Sequence, residues 1–241
     1  MPPLSGFPHG RDMRAKKIFI GLTALLTTAL QAPVQAANFL WDDWSSWPYG
    51  FSAAYSSQQI DADVAGQKSQ FDVLHAGLEL VELNNTWLQA GMFGGKVWGD
   101  QSDFAPATGI DLSGFYGGIT LRRMLFDGNW FKLGLEGRYT YQNLKDNDIP
   151  KRIEVKWHQS DVTLGTQVNL GRYIALYGGA SGMYLDGSER VGVAPSSDLG
   201  GAWSQVNFLG LDLLIEAGGH VGFEAKQGSV DGFEIYFQHR Y

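Results

Sequence analysis

The sequence predicts an all-β chain: a transmembrane, antiparallel, up-and-down β-barrel of about ten strands, preceded by a cleaved export signal. Three observations predict it. Apolar and polar residues alternate over stretches of seven to twelve residues. The links between those stretches take turns at being short and long. Beyond the N-terminal region no apolar run is long enough for a spanning helix, which needs about 20 residues. A closed barrel is the other structure that satisfies every backbone group in lipid. Eight strands is the narrower alternative, because the first strand and the last hairpin are short.

Composition agrees. The 241 residues include 32 Gly, 8 Trp, 10 Tyr and 14 Phe, which suits tight strand contacts and rings at membrane interfaces. There is no Cys, so disulfides, thiolate metal sites and a lipidated N-terminal cysteine are excluded. A net charge of −7 argues against nucleic acid as a partner, since phosphate binding needs clustered Lys and Arg.

The first element is the export signal, residues 1–36. Arg14, Lys16 and Lys17 form its basic region, Ile18 to Leu30 its apolar run, and Val34-Gln35-Ala36 its small-residue cleavage site. Met13 is a candidate true start. Residues 37–48 then form a periplasmic segment. Its Trp41, Trp44 and Trp47, with Asp42 and Asp43 between, read as an interfacial anchor, because Trp favours the headgroup zone.

The barrel follows over 49–241. Its strands are expected at about 49–59, 69–82, 87–99, 110–125, 130–143, 154–170, 173–185, 206–217, 220–227 and 232–241. The fifth is the clearest. Phe131, Leu133, Leu135, Tyr139 and Tyr141 share one face, and Lys132, Glu136, Arg138, Thr140 and Gln142 share the other. Tilted by about 40°, its ten steps cover roughly 25 Å, the height of an outer-membrane apolar band. Leu74 to Leu80, Phe115 to Arg122, Asp161 to Leu170 and Leu209 to Glu216 repeat the pattern. In Trp87–Trp98 and Tyr173–Leu185 neither face is clearly polar, and the phase stays open.

The short links are Asn84-Asn85-Thr86, Asp127-Gly128-Asn129, Gly171-Arg172 and Gly218-Gly219-His220. The long ones are Ile60–Lys68, Asp100–Gly109, Leu144–Ile153 and Asp186–Gln205. Outer-membrane barrels have short periplasmic turns and longer outer loops, and Gly/Asn/Asp links suit tight hairpins. An even strand count puts both termini on the periplasmic side. Asp186–Gln205, the longest link, is expected to be mobile.

The chain ends Phe233-Glu234-Ile235-Tyr236-Phe237-Gln238-His239-Arg240-Tyr241. Phe233, Ile235, Phe237 and Tyr241 alternate and finish on an aromatic. This resembles the terminal assembly signal of bacterial outer-membrane β-barrel proteins, the broad class of small OmpA-like, OmpX-like and opacity-type barrels. The resemblance implies a location in the outer membrane, contact with the barrel-assembly machinery during biogenesis, and outer-membrane lipid and lipopolysaccharide as surroundings. It implies no particular oligomeric state.

The candidate sites are physical rather than catalytic. Arg122, Lys132, Glu136, Arg138, Asp161, Asp212, Glu216, Glu234 and Arg240 all fall on the inner face, with Glu224 and Lys226. In a narrow barrel they are expected to pair and fill the lumen, since barrels of about eight strands are just wide enough for side chains and open pores need about 16. Trp47, Trp87, Trp130 and Tyr173 flank periplasmic turns as interfacial aromatics. His158-Gln159-Ser160 matches the His-x-Ser pair of outer-membrane lipid A deacylases, yet a third, orienting group is absent from the sequence. His75 and Glu79 are too few for a metal site, and Asp61 and Asp63 read as solvated loop. No cofactor motif is present. The expectation is therefore a non-enzymatic scaffold, adhesion or envelope protein, or a narrow pore, with its activity in the outer loops. A lipid-modifying enzyme using His158 and Ser160 is one alternative. A soluble periplasmic barrel with an apolar ligand inside is the other.

Overall fold

The computed structural model describes residues 49–64, 67–82, 88–102, 111–146, 153–171, 173–216 and 219–240. The export signal over 1–36, the start at Met13 and the segment 37–48, with Trp47, lie outside these residues.

Ten strands are present: β1 (Tyr49–Val64), β2 (Gln67–Glu82), β3 (Gln89–Ser102), β4 (Leu112–Asp127), β5 (Phe131–Lys145), β6 (Ile153–Asn169), β7 (Ile174–Val191), β8 (Ser197–Glu216), β9 (Gly219–Gly228) and β10 (Val230–Arg240). Each pairs antiparallel with its chain neighbour, and β10 returns to β1 to close the barrel, from Gly50 opposite Arg240 to Ile60 opposite Val230. All ten expected strands are found. Closure matters because an open edge strand in lipid would leave a row of unpaired N–H and C=O groups.

The leucine rows face outward. Leu78, Leu80, Ile119, Leu121, Leu135, Leu164, Leu176, Leu209, Leu211 and Leu213 are exposed, with Phe223, Phe233 and Ile235. On the same strands Glu79, Thr120, Arg122, Glu136, Thr163, Asp212, Glu224 and Glu234 are buried inside. An apolar belt around the whole barrel is far larger than the patches tolerated on a soluble monomer, and it suits lipid.

One feature inverts this order. Most strands run to 14–20 residues, although about 9–11 suffice to cross a membrane. The surplus lies at the outer end, and there the polarity exchanges faces. In β1, Phe51 and Tyr55 point out and Ser52 and Ser56 point in; further along, Asp61 and Asp63 point out while Ile60 and Val64 are buried. In β2, Phe71 and Val73 turn inward and Gln70 and Asp72 outward. In β6, Ile153, Val155 and Trp157 turn inward, and Glu154 and Lys156 outward. These inward groups join Val97, Leu112, Leu144, Leu185, Leu199, Val206 and Val230 in one apolar cluster. The outer part of the barrel is built like a soluble protein, while the inner part is built for lipid.

This corrects two of the expected long loops. Ile60–Lys68 is a hairpin in which β1 and β2 pair as far as Val64 opposite Gln67. Asp186–Gln205 is not a mobile loop: β7 and β8 pair out to Glu189 opposite Ser197, with a turn at Gly192 (φ 60°). The expected sorting of links by length also fails at β9–β10, where Ser229 alone separates two short strands. Because that hairpin is short, β1 and β8 rise past it and meet at Val64 opposite Leu199.

Close approach inside the barrel requires glycine at two paired positions. The Tyr177 ring lies over Gly210 and the Tyr236 ring over Gly222, each directly across the strand pair, and a Cβ at either glycine would overlap the ring.

Candidate functional site

The inner face of the barrel brings most of the predicted charges together. Arg122 of β4 lies between two carboxylates. Its Nη2 donates to Glu79 Oε1 at 2.9 Å and Oε2 at 3.2 Å, and its Nε donates to Glu136 at 2.5 Å. Arg138, two residues beyond Glu136 on the same face of β5, stands 3.6 Å from Glu136 and 3.8 Å from Glu79. Its guanidinium also lies over the Phe93 ring, 4.9 Å from the centroid. Thr120 donates to Glu79 at 2.8 Å. The four charges alternate in sign, which is how buried ions offset their desolvation cost.

A second group sits across the lumen. Lys226 of β9 is 3.4 Å from Glu224 and 3.5 Å from Glu234. The Tyr236 hydroxyl donates to Asp212 at 2.7 Å. Beside the first group, Asp161 of β6 stands opposite Arg138 in strand register, and Gln159 donates to both its oxygens at 3.1 Å. Lys132 reaches Asp127 at 2.9 Å near a periplasmic turn. The side chains of Glu216 and Arg240, also predicted inside, lie outside the described residues. Sequence reading missed Glu79 as the shared acceptor. Its inward phase beside His75 was visible, but its partner 43 positions away was not. His75 and Glu79 do share the inner face but have other partners: His75 contacts Gln142 at 2.9 Å and Ser56 at 3.3 Å.

A cavity of about 90 Å³ lies at mid-barrel among these groups, lined by Gln58, His75, Arg138, Gln142, Asp161 and Lys226. It has room for several waters. The apolar cluster of the outer half, with Trp157 against Phe71 at 5.5 Å, shares residues Met183, Val206 and Val230 with the cavity lining. A polar chamber is thus roofed by hydrocarbon.

The lipid-facing surface carries aromatics near both ends. Trp130 and Tyr173 are 70% and 61% exposed beside periplasmic turns; Trp87 lies outside the described residues. Phe233, Ile235 and Phe237 form one outward row on β10, and Phe237 packs on Phe51 of β1 across the closing seam; Tyr241 lies outside the described residues. Toward the outer end stand Trp98, Phe115, Tyr139, Tyr184 and Trp203. His158 belongs to this ring. Its Nδ1 and the Tyr139 hydroxyl are 2.5 Å apart, and Tyr141 lies 5.1 Å away. Ser160 is on the same outward face, and Asp186 pairs in register with His158.

Above this ring lies a group that sequence reading did not anticipate. Glu154 Oε1 accepts from Lys145 and Lys156, each at 2.9 Å, and Oε2 accepts from Arg190 at 2.7 Å. Glu154 faces Lys145 on one side and Arg190 on the other in strand register. The hydrogen bonds from Lys156 and Lys145 hold its carboxyl at about 2, below the usual carboxylate value. The signal was present as alternation of charges at 154 and 156, hidden because charged residues were expected inside.

No family model matches the chain. No curated protein is similar to it in sequence. Solved structures are similar in shape. The transport unit of the autotransporter AIDA-I from Escherichia coli aligns at 9% identity and TM-score 0.51, covering 92% of this chain and 97% of that one. An outer-membrane channel from Pseudomonas putida F1 aligns at 10% identity and TM-score 0.51, covering 86% and 100%. The translocator domain of autotransporter NalP from Neisseria meningitidis aligns at 10% identity and TM-score 0.47, covering 95% and 98%. At such identities the likeness concerns the fold, and the fold is that of bacterial outer-membrane β-barrels.

Proposed function

We propose that this chain is an integral outer-membrane barrel that serves as a closed, rigid scaffold for adhesion or envelope stability, with its working surface on the rim that stands outside the membrane. The observation that carries the reading is the apolar plug across the outer half of the lumen, from Ile60 and Phe71 through Trp157 and Leu185 to Val230. An ion entering from outside would have to cross this apolar layer, which is costly for a charge, even though one carboxylate, Glu189, is buried on the same inward face opposite Val155. The plug disfavours the narrow pore among the expected roles. It also relocates the working surface, from long loops to the β1–β2 and β7–β8 hairpins. Loops and rims on a rigid frame carry most recognition.

Planar-bilayer recording tests the closed lumen. The purified barrel is expected to insert, run heat-modifiably on gels and give no stepwise conductance. Regular conductance steps from folded protein would overturn the closed reading. In the scaffold reading His158 is part of the outer aromatic ring, tied to Tyr139, and not a base for Ser160. Ser160→Ala is accordingly expected to leave the cell's lipid A structure unchanged; a changed acyl pattern would restore the enzyme alternative.

A further inference from the structure

We propose that Lys145, Lys156 and Arg190 form a binding site for the phosphate groups of outer-leaflet lipid A, with Glu154 as the strut that holds the three cations in place. The proposal rests on the membrane reading above and adds a ligand to it.

Position is the first argument. All three cations project from the outward face, on β5, β6 and β7. His158 marks the outer aromatic ring on β6, and aromatic rings of this kind sit at headgroup level. Lys156 is two residues further out, a rise of about 5 Å for a strand tilted near 40°. That is where the phosphates of the outer leaflet lie. The apolar belt below fixes the depth, and the polar exterior above it leaves the site at the water boundary.

Charge is the second. Three cations meet one carboxylate, so the cluster keeps two positive charges. Lys145 and Lys156 share a single oxygen at 2.9 Å each, which keeps their ammoniums within about 6 Å of one another, where like charges repel appreciably. One carboxylate does not use the available donors. Each ammonium has three N–H groups and the guanidinium five. A second, multiply charged anion would relieve the repulsion and accept the remaining hydrogen bonds. Among the described residues, outward carboxylates on the neighbouring strands are Asp186, opposite His158, and Asp198, opposite Ser188, with the exposed Asp111 just before β4, whose Ser113 stands opposite Lys145. Apart from Glu154, none of these described carboxylates stands directly in register with Lys145, Lys156 or Arg190.

Preorganisation is the third. Long, flexible side chains lose rotamer freedom when they grip a ligand. Here Glu154 is buried, while the cations it holds are half-exposed, at 50%, 40% and 54% of their side chains. The ordering is thus already in place, and about half of each cationic side chain remains accessible to a ligand. Glu154 stays ionised down to about pH 2, so the strut is charged wherever a cell grows.

The test uses the full mature protein, folded in phosphatidylcholine nanodiscs and titrated with phosphorylated lipid A or its dephosphorylated form. Wild type is expected to bind the phosphorylated lipid saturably and the dephosphorylated one at least tenfold more weakly. The triple variant K145Q/K156Q/R190Q is expected to lose at least tenfold on the phosphorylated lipid with unchanged heat-modifiable migration. Equal binding of the two lipids by wild type, or equal binding of phosphorylated lipid by wild type and variant, would overturn the proposal. So would displacement by millimolar inorganic phosphate, which would assign the site to a free anion. If the triple variant does not fold, K156Q alone, which leaves the Lys145–Glu154–Arg190 row intact, is expected to weaken binding several-fold, and no change would count against the site. Fractionation separates the two failures. Protein found outside the outer membrane sinks the membrane reading, whereas an outer-membrane barrel indifferent to phosphate sinks only this one.

Discussion

Replacing Arg122 by Met removes the cation on which the lumen network turns. Arg122 is 4% exposed and binds both Glu79 and Glu136. Met fills much of the same volume without charge, so the change isolates electrostatics from packing. Two carboxylates are then left with weaker partners. Glu79 keeps the Thr120 hydroxyl and Arg138 at 3.8 Å; Glu136 keeps Arg138 at 3.6 Å. Breaking a buried pair from one side costs about 3–5 kcal/mol, and Arg138 is too far from either oxygen for a short charge-assisted bond, so the full range is expected. The assay is urea unfolding of the barrel in lipid vesicles, followed by tryptophan fluorescence and by gel migration. A companion variant, E79Q/R122M/E136Q/R138M, removes all four charges and strands none. It is expected to lie within about 2 kcal/mol of wild type, because a buried ion network and a well-packed neutral one are often close in stability. If R122M unfolds within about 1 kcal/mol of wild type, the four charges are not a desolvated network and the lumen must be wetter than the geometry implies.

Three further changes probe other parts of the barrel by the same unfolding assay. Trp157→Ala opens a cavity beside Phe71 in the outer plug and is expected to cost about 3–5 kcal/mol; a loss below about 1 kcal/mol would mean the plug is loosely packed. Gly222→Val places side-chain atoms where the Tyr236 ring lies and is expected to destabilise by about 1–3 kcal/mol or block folding, with G222V/Y236A recovering part of the loss if ring overlap is the cause. The rim cluster sets a pH dependence. The folded Glu154 carboxyl is held at about 2 against an ordinary value of 4.5, so the stability it adds is complete above about pH 4.5 and disappears as pH falls toward 2. Wild type minus E154Q is expected to shrink over that window; a difference that is flat from pH 5 to pH 2 would show that the lysines do not hold this carboxylate.

How legible the barrel was depends on where along a strand one reads. Near the periplasmic side the sign of the alternation is constant, and Phe131 to Gln142 assigns its own faces without help. The same rule fails at the outer ends because it assumes that charge means inside. β1 was expected to stop at 59 and β2 to begin at 69, since Ile60, Asp61, Asp63 and Val64 reverse the pattern. The chain does not leave the sheet there; it leaves the lipid. β7 and β8 lost the stretch from 186 to 205 for the same reason. The two unphased segments have related causes. In β3 the outward Lys96 offsets the outward Met92 and Trp98, and in β7 the inward face up to residue 185 carries Ala175, Tyr177, Met183 and Leu185 with no charge to mark it, the buried Glu189 coming only beyond that stretch. Pairing between strands that are not neighbours, as between Arg122 of β4 and Glu79 of β2 over the intervening β3, depends on barrel curvature and register and has no local trace.

The inversion also bears on why the lumen is charged at all. If water-facing strands alone determined the inner residues, the apolar packing of Ile60, Val97 and Trp157 would continue down the barrel, and the membrane half would be apolar on both faces. A chain of that kind would present long unbroken apolar strands before insertion, the sort of segment that aggregates. Placing Glu79, Arg122, Glu136 and Arg138 opposite the leucine rows keeps β2, β4 and β5 amphipathic during export. It also fixes register, because a slip by one residue would turn these charges into lipid. On this argument the network is retained for export and for specifying the closed ring more than for stability, and its neutral replacement should differ from wild type more in folding yield than in unfolding free energy. The quadruple variant decides it. Equal refolding yields from urea, with equal stability, would remove specificity as the reason the charges are there.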